Sequence, residues 1–286
     1  MTKEQQRERA EEFLALHTAP EILVLPNAWD VVSAKIYEVE GFKAIGTTSA
    51  GISATLGFPD GEHMSLADNA TVVRRMVEHV GIPVSADMEA GYAESPEGVA
   101  DSTRALLDAG AVGMNLEDGT GDPAEPLFDE SLQVEKIKAV REAASARGIH
   151  PVLNARTDVY LVPGDGDAAR LECALRRAAA YRGAGADCIF VPDFADLDKE
   201  TITTLVKEID APLNIIAGER TPPISELEQI GVARVSFGPR AMRAALALLR
   251  VIAREWRDAG TYSHMLKDTV SYAEINRMLE RCECSN

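Results

Sequence analysis

Apolar runs of four to six residues recur along the chain, and an amphipathic stretch follows each. The runs cover 22–26, 43–48, 82–86, 112–117, 151–156, 187–192, 212–217 and 233–237. Short, near-continuous apolar runs of this kind read as strands buried on both faces. The stretches between them have helical spacing. Residues 69–80 place Val72, Val73, Met76 and Val77 on one face, and residues 95–109 do the same with Val99, Ala100, Thr103, Leu106 and Leu107. Residues 168–184 carry Leu171, Leu175 and Ala178 on one side. Gly41, Gly81, Gly110, Gly148, Gly185 and Gly231 stand where helix stops are expected.

This alternation predicts an α/β fold. A doubly wound sheet would show it too, but eight strands without a GxGxxG turn after the first favour closure into a (β/α)8 TIM barrel. After Phe237 a long helical pattern runs over 240–256, breaks at Asp258-Ala259-Gly260, and gives way to a second at 272–281. A barrel needs one helix after its last strand. The expected organisation is a catalytic barrel over 1–260 with a helical extension of the same domain over 261–286, the surplus covering a neighbour or the barrel's outside.

Composition narrows the class. The chain has 286 residues, 46% of them hydrophobic, and no run of 18 apolar residues, so no membrane span is expected. The polar N-terminus lacks an apolar signal core. Four cysteines do not make a disulfide scaffold in this length. Cys173 and Cys188 sit in apolar periodic segments, and Cys282 and Cys284 in a polar tail. The expected compartment is the reducing cytoplasm. A formal charge of −17 disfavours nucleic acid. It does not exclude a small anionic substrate, because a local cation can reverse the field inside a cleft.

The chemistry gathers where three runs end. Ser85-Ala86-Asp87-Met88-Glu89-Ala90-Gly91-Tyr92 follows one, Asn115-Leu116-Glu117-Asp118 ends the next, and Asn154-Ala155-Arg156-Thr157-Asp158 ends the third. Parallel neighbouring strands would bring these ends together at the active-site face of a barrel. Residues i and i+2 of an extended segment point the same way, so Asp87 and Glu89 can face one site. With Glu117 they offer hard oxygen ligands of the kind Mg²⁺ or Mn²⁺ prefers, and no His/Cys cluster suggests zinc. The alternative is that one or more is solvated or paired with Arg156. Arg156 itself has the fork geometry for a carboxylate or phosphate, or serves as a structural ion pair. Asn154 and Asn214 are polar residues at apolar-run positions and demand partners if buried. The small residues of Thr47-Thr48-Ser49-Ala50-Gly51-Ile52-Ser53 would let main-chain amides approach an anion, although such turns are common. Asp60 can reach the same mouth or cap a turn. Trp29, Tyr92, Tyr160 and Phe237 are candidates for setting pocket size.

Taken in order, these segments resemble the isocitrate lyase/phosphoenolpyruvate mutase superfamily from about residue 25 to 248. Leu25-Pro26-Asn27-Ala28-Trp29-Asp30 resembles its opening strand, and Thr48–Ile52 the loop whose amides hold a substrate carboxylate. Leu56-Gly57-Phe58-Pro59-Asp60 resembles the LG-x-x-D segment, Ala86–Tyr92 the metal strand, Asn115–Asp118 the N-x-E-D strand, and Asn154–Asp158 the ARTD strand that supplies a substrate-binding Arg. The resemblance implies a barrel with a last helix often exchanged between subunits, a homotetramer built as a dimer of dimers, and Mg²⁺-dependent chemistry on small α-oxo or 2-hydroxy acids through an enolate. It implies that Asp87 holds the metal directly and Glu89 and Glu117 through water. It makes Asp60 and Arg156 the catalytic candidates, and Trp29, Ser49, Ala50, Gly51, Ile52, Asn214 and Arg156 the substrate-binding ones.

The departures from the family pattern select among its activities. The lyase branches carry a K-K/R-C-G-H loop whose Cys is the acid/base. Here that stretch reads Gly119-Thr120-Gly121-Asp122-Pro123-Ala124-Glu125-Pro126-Leu127-Phe128, with no Cys, Lys or His. The Lys and Asn of the mutase branch are absent as well, and Phe190-Val191-Pro192-Asp193 lacks that branch's His. A metal and an Arg suffice for decarboxylation of an oxo acid such as oxaloacetate. The expected activity is therefore a Mg²⁺-dependent C–C lyase. The alternatives are a phosphonomutase- or phosphonopyruvate hydrolase-like enzyme, and a non-catalytic oxo-acid-binding protein.

Overall fold

Pro26 cannot donate a main-chain hydrogen bond, and the first apolar run divides there into Leu23–Leu25 (β1) and Asn27–Ala28 (β2). The remaining strands are Ile45–Thr47 (β3), Val84–Asp87 (β4), Gly113–Glu117 (β5), Val152–Arg156 (β6), Cys188–Phe190 (β7), Leu213–Ile216 (β8) and Arg234–Ser236 (β9). In the computed structural model, which describes residues 1–163, 166–193 and 197–280, these strands pair in the order β1-β9-β8-β7-β6-β5-β4-β3-β2, every pair parallel. β1 takes the last strand as partner and β2 takes β3, so the single run 22–26, continued to residue 28, closes the TIM barrel from both sides. The eight expected strands thus appear as nine among the described residues. Cys282 and Cys284 lie outside those residues.

The helices fall where the spacing places them, with their ends set by caps. Ser65 accepts from the Asp68 amide and starts Leu66–His79 three residues before the expected 69. Ser95 caps Pro96–Asp108, with Pro in the first turn where its missing N–H costs nothing. Of the expected glycine stops, Gly81 does not act as one: Leu66–His79 ends on Val80 in extended backbone. The segment 47–53, read as a small-residue turn, is instead the start of a helix, Ser49–Leu56, whose Thr48 cap accepts from the Gly51 amide. A Cβ on Gly51 would come within 2.7 Å of both Thr48 Cγ2 and Trp29 Cβ, so glycine allows this helix to sit against Trp29.

Helix Lys3–Leu16 plugs the N-terminal end of the barrel. Phe13 is fully buried there, and a Cβ on Gly113, the first residue of β5, would lie 2.5 Å from its ring. Gln6 Nε2 donates to the carbonyls of Leu107 and Ala111. His17, just beyond the helix, is 2% exposed, with Nδ1 2.8 Å from the Phe13 carbonyl. Burial, then the nearby Arg234, push its imidazole down from 6.5 to about 4. A depressed histidine stabilises the fold in full above its unfolded value. That contribution is lost as the pH falls from 6.5 towards 4, and is worth up to about 3 kcal/mol. Denaturant midpoints at pH 7 and pH 4.5 should therefore drop less in His17→Gln than in wild type; equal drops would contradict the assignment.

Among the described residues no helix is long and apolar enough to cross a membrane. Helix Arg240–Asp258 buries only Met242, and leaves Leu246, Leu248, Leu249, Val251 and Trp256 exposed. Its main packing partner is the short turn His264–Leu266 rather than the barrel, whereas Tyr272–Leu279 lies against Val31–Val39.

Candidate active site

The C-terminal ends of β4, β5 and β6 deliver Asp87, Glu117 and Arg156. Strand register sets Asp87 beside Asn115 and Glu117 beside Arg156. Asp87 is 9% exposed and tightly bracketed. Its Oδ2 accepts from the Ser49 amide at 3.1 Å and the Ser49 hydroxyl at 2.9 Å, and its Oδ1 accepts from Asn115 Nδ2 at 3.4 Å. Its amide donates to Thr47 Oγ1 and its carbonyl accepts from Asn69 Nδ2. These bonds leave Asp87 little rotameric freedom.

Glu89 reaches the site by a different route from the expected i, i+2 alternation. The strand stops at Asp87, and Glu89 and Tyr92 take φ of 50° and 55°, in the left-handed region where non-glycine residues are strained. Side-chain bonds hold that turn. The Glu62 amide and the Tyr92 hydroxyl donate to the Glu89 carboxylate at 2.7 and 3.1 Å, while the Tyr92 amide donates to Glu62 Oε1. Asn69 spans the Asp87 carbonyl and the Tyr92 hydroxyl. Burial, then the neighbouring Asp87, push the Glu89 carboxyl up to about 7.

Arg156 is gripped on two sides. Its Nη1 lies 2.6 Å from Glu117, and its Nε and Nη2 donate to the two oxygens of Asp158 at 2.5 and 3.0 Å. Burial works against its charge, but Asp158 and Glu117 outweigh that and raise its pKa. Burial raises the Glu117 carboxyl, opposed by the same guanidinium. These contacts use three of the five guanidinium N–H groups, leaving two for a ligand. The Phe190 ring lies 5.8 Å from the guanidinium carbon.

The other candidates divide. Ser49 and Gly51 belong to the first turn of their helix, against Trp29, and Ser49 binds Asp87 directly. Ala50 and Ile52 share that turn; the Ile52 amide is taken by the Thr48 carbonyl, and among the described residues no acceptor meets the Ala50 amide. Asp60 is exposed at the rim, its Oδ1 3.5 Å from the Ser49 hydroxyl. Asn214 is fully buried; its Oδ1 accepts from Ser236 and its Nδ2 has no partner. The stretch 119–128 is a closed hairpin. Gly119 bridges Leu127, the Arg177 guanidinium donates to the Phe128 carbonyl, and Lys136 Nζ sits 3.5 Å from the Phe128 ring centre. Asp122 and Glu125 stand exposed in it.

The donor set suits a hard cation. Asp87, Glu89 and Glu117 offer only oxygens, and Asp87 and Glu89 are both buried, so their negative charge is poorly solvated. Among the described residues no three acidic, His or Cys side chains converge closely enough to hold an ion between them directly. Glu89 is committed to Glu62 and Tyr92, and Glu117 to Arg156. The residues therefore fit a hydrated ion on one carboxylate better than a three-carboxylate clamp.

Sequence reasoning did not single out Glu62, Asn69 or Arg234, and it quoted Asn115 and Asp158 within their segments without giving either a role. Asn69 carried a signal, a polar residue on the apolar face of its helix. Arg234 carried a stronger one, a charge inside the apolar run 233–237.

Nine parallel strands with these acids and this Arg at their C-terminal ends define an enzyme-type barrel site. The family model for phosphoenolpyruvate phosphomutase matches residues 13–257, and the chain belongs to that family. It is 36% identical to the uncharacterized protein Rv1998c of Mycobacterium tuberculosis, over 93% of this chain and 95% of that one. A solved structure from Burkholderia cenocepacia, assigned as a lyase/mutase, superposes with a TM-score of 0.90 at 35% identity, covering 98% of each chain. Oxaloacetate acetylhydrolase, solved with its product oxalate, superposes with a TM-score of 0.82 at 25% identity, over 94% of this chain and 93% of that one.

Proposed function

We propose that this protein is a Mg²⁺-dependent lyase that cleaves a C–C bond of a small α-oxo acid through an enolate, with oxaloacetate as the model substrate. The observation that carries this reading is the Asp87–Glu117–Arg156 constellation beside a hairpin, 119–128, that brings no Cys, Lys or His. Asp87 would hold the ion directly, and Glu89 and Glu117 through water; Mn²⁺ fits the same oxygens. A bound divalent cation supplies a Lewis acid for the 2-oxo group.

The chain's own residues do the rest. The free N–H groups of Arg156 and the Ala50 amide, at a helix N-terminus, suit the carboxylate and carbonyl oxygens of the substrate. Trp29, packed against the same helix start at Gly51, would wall the pocket beside them. Cleavage of the bond between C3 and C4 releases CO₂ and leaves its electron pair in the enolate of pyruvate, which takes a proton at C3 from water. Asp60, at the rim and 3.5 Å from the Ser49 hydroxyl, would position that water.

The test is a product assay on oxaloacetate, phosphonopyruvate and 2-methylisocitrate. Mg²⁺-dependent loss of oxaloacetate above the rate of metal alone is expected, phosphonopyruvate slower, and 2-methylisocitrate inert. Pyruvate with CO₂ marks decarboxylation; acetate with oxalate would mark the hydrolysis named for the acetylhydrolase relative. Efficient P–C cleavage would favour the phosphonomutase alternative, and inactivity on all three with tight oxalate binding would favour a binding protein.

We propose further that the chain forms a homotetramer of paired dimers, with helix Arg240–Asp258 covered by a second copy. Its exposed leucines and its looseness from the barrel support this. Light scattering should give a tetramer at micromolar concentration, and removal of residues 261–286 should lower Tm; a stable monomer would contradict the proposal.

A further inference from the structure

Arg234 opens β9 and is the largest fully buried side chain among the described residues, 1% exposed. A guanidinium inside a barrel is costly unless its donors are met. Among the described residues its one hydrogen bond is from Nη2 to Asn115 Oδ1 at 3.4 Å; Nε and Nη1 have no partner. Burial lowers its pKa to about 10, which still leaves it a cation at neutral pH.

Its surroundings form a column along the barrel interior. Below it lies buried His17, whose imidazole it helps to keep neutral. Beside it in register is Asn214, whose Nδ2 also lacks a partner. Above it is Asn115. Asn115 Oδ1 accepts from Arg234 Nη2 and from Asn154 Nδ2, the latter at 2.8 Å. With both donors on its oxygen, the Asn115 amide cannot flip, and its Nδ2 is obliged to face Asp87 Oδ1. A residue that was only filling space would do so at lower cost as Met or Leu.

We infer that Arg234 is a positioning residue for the site above it: through Asn115 it fixes the Asp87 carboxylate, and its charge beneath that carboxylate favours a bound oxo-acid anion. This rests on the proposed function and adds to it a residue that touches neither substrate nor ion. The column is short, since one amide separates the guanidinium from Asp87, and the low-polarity wall of β-strands around it leaves the charge poorly screened.

The test uses the full-length protein, with oxalate affinity measured calorimetrically at saturating Mg²⁺ and Tm measured in parallel. Arg234→Met removes a buried, nearly unpaired charge, so Tm should stay level or rise by about 2 °C or more. Oxalate affinity should nevertheless fall about tenfold, the size of one charge-assisted interaction. Arg234→Lys, which keeps the charge, should recover much of that loss. If Arg234→Met does not fold, Asn115→Leu carries the same test, since it removes the acceptor towards Arg234 and the donor towards Asp87 without adding a charge. Affinity within twofold of wild type in the variant tested overturns the inference, as does a loss that Arg234→Lys fails to recover. Wild type that binds no oxalate with Mg²⁺ contradicts the proposed function itself, a failure separate from equal binding by wild type and variant.

Discussion

Asp87→Ala is expected to abolish Mg²⁺-dependent turnover of oxaloacetate and to leave the barrel folded. Asp87 is the carboxylate on which Ser49, Asn115 and, through its main chain, Thr47 and Asn69 converge. The other two carboxylates are committed elsewhere: Glu117 is paired with the Arg156 guanidinium, and Glu89 accepts from the Glu62 amide and the Tyr92 hydroxyl. Removing one acid from a crowded cluster relieves repulsion, which offsets the lost bonds to Ser49 and Asn115. Tm should therefore lie within a few degrees of wild type, and Asp87→Asn, which keeps the shape, should be equally inactive. Calorimetric Mg²⁺ titration in the presence of oxalate reads the same residue without turnover. Unchanged binding in Asp87→Ala would remove Asp87 as the metal ligand.

Arg156→Lys should lower kcat/KM by about one to two decades. Lysine keeps the charge and can still answer Glu117, but it lacks the planar fork that meets both oxygens of Asp158 and still offers N–H groups to a substrate carboxylate. Loss of one charge-assisted hydrogen bond costs about 1.5–3 kcal/mol. Steady-state kinetics on oxaloacetate decide the point. A change under twofold would make Arg156 a partner for Glu117 and Asp158 and nothing more.

Much of this was legible in the residues, and the limits have physical causes. Parallel strands buried on both faces are written as apolar runs, so the barrel and its acidic rim could be read directly. The run 22–26 was read as one strand; Pro26, which lacks an N–H, divides it, and its use, to join two different neighbours, is a property of closure that a local pattern does not carry. The start of Ser49–Leu56 looked like a turn because Ser and Gly favour turns. A Thr cap and close packing on Trp29 make it a helix. Glu89 was placed by strand alternation, which fails once the backbone turns left-handed at φ 50°. The pairing of Arg156 with Asp158, two residues on, and the Arg234–Asn115 column depend on side-chain directions across the barrel. A one-dimensional pattern marks such residues as out of place but does not name their partners.

The most direct test of the account is oxalate titrated calorimetrically into wild-type protein with Mg²⁺ and again with the metal chelated. Oxalate resembles the enolate of pyruvate in charge and shape, and so reports on the site without requiring the true substrate. Saturable binding is expected with Mg²⁺, and loss of that binding on chelation and in Asp87→Ala. Equal affinity with and without metal, or none in either, would contradict it.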